Sequence, residues 1–144
     1  MNNGSAARYL ANIIAIARSN GLPDEREQAY LDQIRGHIHA RKQDLKEAEK
    51  LAATEGYRPE PVERYSERVR NMEDIVCVCL LRGVLNDAQR QAIIAYANAA
   101  RLSQRQTDLI LSQSYAQAMA YKRAVVCPHC HREVEPMEER LKLS

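Results

Sequence analysis

The chain has 144 residues, 28% of them charged, a net charge of +2, and neither Trp nor Phe. That length suits one domain with its own core and no need of disulfide staples. Charges of both signs are interleaved along it, which argues against a nucleic-acid surface. No apolar run reaches the roughly 20 residues of a bilayer span.

Gly and Pro are few, five of each, and sit at boundaries, while Ala, Leu, Ile and Tyr are plentiful. This is a helical composition, because Ala and unbranched side chains lose little freedom in a helix. The opening Met1-Asn2-Asn3-Gly4-Ser5 lacks a charged region followed by an apolar core, so a cytoplasmic location is expected. In a reducing compartment the four cysteines, Cys77, Cys79, Cys127 and Cys130, read as metal ligands or redox groups before disulfides.

The first helix is predicted from about Ser5 to Asn20, with Leu10, Ile13, Ile14 and Ala17 on one face and Gly21 as its stop. Asp24 with Glu27 forms a start signal for a second helix, whose apolar face is Leu31, Ile34 and Ile38 with Tyr30 beside it. A third spans about Arg41 to Glu55, turning Leu45, Ala48 and Ala52 inward and stopping at Gly56. Pro59 and Pro61 make the main internal break.

The fourth helix follows Pro61. Val62, Tyr65, Val69, Met72, Val76 and Cys79 recur at spacings of three and four, and Ile75 to Leu81 is apolar nearly all round. It is therefore expected to be the central buried helix. Gly83 ends it. Asn86 or Asp87 caps a fifth helix to about Arg101, carrying Ile93, Ile94 and Tyr96. Ser103 and Gln106 open a sixth, which runs to about Arg123.

The two halves overlay. A shift of 62 places Ile13 and Ile14 on Ile75 and Val76, Ala17 on Cys79, Gly21 on Gly83 and Leu31 on Ile93. A shift of 64 places Ile38 on Leu102 and Asp44-Leu45 on Asp108-Leu109, which implies a two-residue insertion in the second copy. The expected fold is all-α: a compact bundle of about six helices, from two diverged three-helix repeats at about 6–56 and 62–124. A short Cys/His tail at 125–144 follows.

The unit of helix, Gly-containing turn, capped helix, Leu-Ser turn and helix resembles the tellurite-resistance TerB-like domain. The resemblance covers about Ala6 to Gln117. It rests on Ser19-Asn20-Gly21-Leu22-Pro23-Asp24-Glu25-Arg26-Glu27 and Leu102-Ser103-Gln104-Arg105-Gln106. It implies a duplicated helical domain over 1–124, acting as a non-enzymatic interaction module in a stress, tellurite or metal response. That family's turn carries an Asp before the Gly and a Glu seven residues after that Asp, as a metal or interaction site. Here the first turn has Asn20 and Glu27, and the second has Arg82 and Gln89. Hard cations need several oxygen ligands of net negative charge, so the resemblance implies the fold without the acidic site.

The tail reads Val125-Val126-Cys127-Pro128-His129-Cys130-His131. C-x₂-C places two thiolates on one edge of a zinc tetrahedron, as in one knuckle of a zinc ribbon. Zinc is therefore the expected cofactor, with Cys127, Cys130 and His131 as the candidate ligands. Three completions stand open: His131 with one open position, a second chain's Cys pair in a homodimer, or His37 and His39 folding over. Thioredoxin-type thiol chemistry is excluded by context, since a helix precedes the motif and only 14 residues follow Cys130.

Cys77 and Cys79, spaced i, i+2 on the apolar stretch, read as small buried residues. His37 and His39 near a helix end read as a charge complement to its C-terminus. The charged run from Arg41 to Arg70 reads as a solvated face, and carboxylate pairs on the helices fall on exposed faces. There is no Ser-His-Asp order, phosphate-binding Gly loop or H-E-x-x-H, so no enzymatic activity is expected.

Overall fold

The computed structural model describes residues 3–20, 24–81 and 83–123, and among them every regular element is helical. The order is α1 (Asn3–Ala17), a 3₁₀ turn (Arg18–Asn20), α2 (Glu25–His37), α3 (Lys42–Ala53), α4 (Tyr65–Leu80), α5 (Asp87–Ala99) and α6 (Gln104–Arg123). No helix among the described residues is long and apolar enough to cross a membrane. Gly21, Pro23 and Arg82, which the sequence marks as turn residues, lie outside the described residues.

Two helices, not one, form the centre. The expected stretch Ile75–Leu81 of α4 is buried throughout, and so is Tyr9–Ile14 of α1. α1 crosses α4, α3 packs on α1, and α6 packs on α4. Small side chains allow the close approach: Ala48 and Ala52 on α3, and Ser114 and Ala118 on α6, are all buried. Burying each large aliphatic side chain such as Ile13, Ile75 or Ile110 contributes about 1.5–3 kcal/mol. Of the other two helices, α2 leans on α4, and α5 packs on both α4 and α1.

The caps explain where the helices begin. Asp24 Oδ1 accepts the Glu27 N–H at 2.9 Å, and the Glu27 carboxylate reaches back to the Asp24 N–H at 3.4 Å. Asn86 and Gln89 repeat this at the start of α5, at 2.7 and 3.2 Å. Ser103 Oγ accepts the Gln106 N–H at 3.1 Å. Each cap satisfies N–H groups that a helix leaves free.

The helix ends match as well. His39 and Arg101 both take left-handed backbone, with φ of 57° and 61°. Behind them the N–H groups of Ala40 and Leu102 return to the carbonyls of Arg35 and Ala97, at 3.0 and 2.9 Å. The matching positions are 62 apart through this turn and into α3 and α6. Lys42 and Gln104, the first residues of α3 and α6, keep that spacing of 62.

Other expectations shift in detail. Tyr65, the second residue of the apolar spacing read for the fourth helix, is half exposed. α4 begins at Tyr65, three residues beyond buried Val62. Within the charged run, Asp44 is only 1% exposed. Its carboxylate accepts the Arg41 backbone N–H at 2.8 Å and the Arg41 guanidinium at 3.0 Å, closing the start of α3.

Candidate functional site: the Asp74 cleft

The crossing of α1 and α4 carries polar side chains in an otherwise apolar interface. On one side Asn12 Nδ2 donates to Asn71 Oδ1 at 3.0 Å and to the Glu60 carbonyl at 2.7 Å. Asn12 Oδ1 accepts the Tyr57 hydroxyl at 2.8 Å and the Glu60 N–H at 3.1 Å. Asn71 is held further by the Tyr96 hydroxyl at 2.7 Å and by the Tyr9 carbonyl at 3.0 Å. The α3–α4 connection thus closes over Asn12, while Tyr96 and the Tyr9 carbonyl complete the partners of Asn71. A buried amide left without partners costs about 1–3 kcal/mol.

On the other side the Tyr9 hydroxyl donates to the Asp74 carboxylate. Tyr9 and Asp74 stand 62 positions from Asn71 and Asn12, so the two contacts occupy matching places on the crossing. Among the described residues, no connection closes over Asp74. α6 has 20 residues where α3 has 12. Its last two turns, with α2 and α4, border a cleft of about 530 Å³. Tyr30 and His37 of α2, Arg70 and Asp74 of α4, and Gln117 and Tyr121 of α6 line it.

Burial pushes the Asp74 carboxyl up to about 6, against the opposing Tyr9 hydrogen bond and the charge of Arg70. Among the described residues, its one hydrogen-bond partner is Tyr9, and no Lys, Arg or His nitrogen lies within the 4.0 Å of an ion pair. Tyr30 accepts a hydrogen bond from Gln117 Nε2 at 3.2 Å and meets Tyr121 edge to face, with ring centroids 4.8 Å apart. Burial raises the Tyr9 and Tyr30 hydroxyls and pushes the Cys77 thiol up to about 11. Burial thus leaves these two hydroxyls and the thiol in their neutral forms rather than as activated nucleophiles. The site offers a buried acid, aromatic edges and hydrogen-bonding groups.

The residues singled out by sequence are placed elsewhere. Cys127, Cys130 and His131 lie outside the described residues. Cys77 and Cys79 are free and buried, as expected. His37 ends α2 exposed on the cleft wall, and His39 holds the left-handed turn. Glu27 and Gln89 are both buried as the reciprocal halves of capping boxes, while the Asn20 side chain and Arg82 lie outside the described residues. Among the described residues, no group of three or more His, Cys, Asp or Glu side chains could hold a metal ion.

No protein-family model, curated protein or solved structure matches this chain.

A second, apolar furrow of about 340 Å³ runs between α5 and α6, past Ile93, Ile94, Leu102 and Leu111. The sequence reading missed Tyr9, Asn12, Asn71 and Asp74. One signal was present: Tyr9 with Asn71, and Asn12 with Asp74, stand 62 positions apart within the apolar stretches of the two central helices.

Proposed function

We propose that the chain is a non-enzymatic, TerB-like helical binding module, built from two diverged copies of one three-helix unit over 1–124. It acts in a stress, tellurite or metal response, and the Asp74 cleft is its binding site. The observation that carries this reading is the paired crossing contact. Asn12–Asn71 and Tyr9–Asp74 stand at one spacing, yet the first is closed by the chain and the second opens on a cleft. The matching caps and left-handed turns support the duplication. A partly buried carboxylate with Tyr9 as its one hydrogen-bond partner among the described residues is costly to keep, and natural proteins retain such costs where function needs them.

A second reading attaches to the tail, whose thiolates and imidazole are donors that suit zinc. Cys127 and Cys130 would hold the ion, with His131 or a second chain completing the set in a homodimer. Zinc there would serve dimerisation or sensing.

Deletion of the gene in its own host, followed by challenge with tellurite and with oxidant, tests the first reading. The wild-type chain is expected to restore resistance, and Asp74→Asn and Tyr121→Ala to restore less of it. A deletion strain as resistant as its parent would remove the stress role. Full rescue by both variants would remove the cleft.

A further inference from the structure

We propose that the Asp74 cleft binds a small primary ammonium, whose N–H groups the Asp74 carboxylate accepts. This rests on the cleft being the binding site. The closed side of the crossing supplies the template. There Asn12 Oδ1 takes one N–H and one O–H donor from the α3–α4 connection, at 3.1 and 2.8 Å, in addition to the contacts Asn12 Nδ2 makes. Asp74 stands in the matching place with its crossing partner, Tyr9, but without those two donors among the described residues. A carboxylate has about four acceptor sites and no donor, so what fits the vacant ones is an N–H group.

Charge narrows the choice to a cation. Asp74 and Glu73 face the cleft from α4, against Arg70 from α4 and His37 from α2. Arg70 lies one turn from Asp74 toward the rim, outside ion-pair distance among the described side chains. The deep end of the cleft is therefore anionic, and an ammonium there gains a charge-assisted hydrogen bond in a poorly solvated place. The edge-to-face pair Tyr30–Tyr121 and the side chains of Ile34 and Ala120 give the alkyl part an apolar and aromatic wall. The volume suits a ligand of modest size.

The test is an amide-shift NMR titration of the full chain with n-butylammonium, n-butanol, butyrate and tetramethylammonium. Saturable binding is expected for n-butylammonium, with shifts centred on Tyr9, Asp74, Gln117 and Tyr121. Tetramethylammonium, which carries the charge but no N–H, should bind at least tenfold more weakly. Asp74→Asn should lower the n-butylammonium affinity at least tenfold, with its helical spectrum unchanged. Tyr121→Ala, at the cleft's edge, should lower it severalfold. Equal binding by Asp74→Asn, or equal binding of tetramethylammonium, overturns the assignment of the N–H contact. Tighter binding of butyrate or butanol in the cleft overturns the ligand class and leaves the cleft as a binding site. Absence of cleft shifts with all four overturns both.

Discussion

Asn12 and Asn71 hydrogen-bond to each other at 3.0 Å in the middle of the α1–α4 crossing, where both are fully buried. Through Tyr57 and Glu60 they also tie down the connection between the two halves. Asn12→Leu keeps the volume and removes every donor and acceptor at that point. It strands the Tyr57 hydroxyl and both polar groups of Glu60. The expected loss is about 3 kcal/mol, read as an earlier urea midpoint with an unchanged slope. A midpoint within error of wild type would mean that water replaces the network at no cost.

Asp74 makes stability depend on pH in an unusual direction for a carboxylate. Its folded pKa stands near 6, above the ordinary 3.8. Between these values the folded chain holds the proton more tightly than the unfolded chain. The contribution is therefore fully present below about 3.8 and is lost as pH rises through about 6. Its size is on the order of 3 kcal/mol. Asp74→Asn is neutral at every pH and keeps an acceptor for Tyr9. The variant should melt higher than wild type at pH 7.5, with the difference shrinking toward pH 4. A difference that stays constant over that range would show that Asp74 titrates as an ordinary exposed acid.

Val76 sits fully buried in α4, facing the core on a helix buried on nearly every side. Val76→Asp places a charge there with no partner and should cost more than about 4 kcal/mol, enough to unfold a marginal domain. Loss of the cooperative melt by circular dichroism is the expected result. An unchanged melting temperature would contradict the burial.

The tail is tested by metal content. Cys127→Ser with Cys130→Ser should abolish zinc in protein purified without chelator, with the helical signal nearly intact because the bundle has its own core. If a second chain completes the site, the same double variant should shift the particle from dimer toward monomer by light scattering. Wild-type protein with well under half a zinc per chain would leave the motif as a reduced cysteine pair.

The helices and their stops were legible because each depends on neighbours in sequence. Asp24 with Glu27, Ser103 with Gln106, and the apolar run at Ile75–Leu81 all act within a few residues. The candidate site was not legible, because its pairs are long-range: Tyr9 meets Asp74 across 65 positions, and Asn12 meets Asn71 across 59. Periodicity assigns a residue to a face but does not name what that face meets. Asp44 shows the same limit. Among charged neighbours it reads as solvated, yet its carboxylate is buried against the start of its own helix. Gln89 read as a lost acid, when its amide serves the cap that Glu27 serves in the other half.

The seating of α2 on α4, a helix that follows it by a long connection, bears on how the chain comes to be folded at all. A ribosome that has released only the first three helices has released a piece whose second helix lacks its seat. That piece has to wait, partly exposed, until α4 emerges. Cutting the chain between Gly56 and Pro61 should accordingly give two fragments that are each poorly structured alone and regain helicity on mixing. Their recombination would follow second-order kinetics, so the two halves would behave less like beads on a string than like clasped hands.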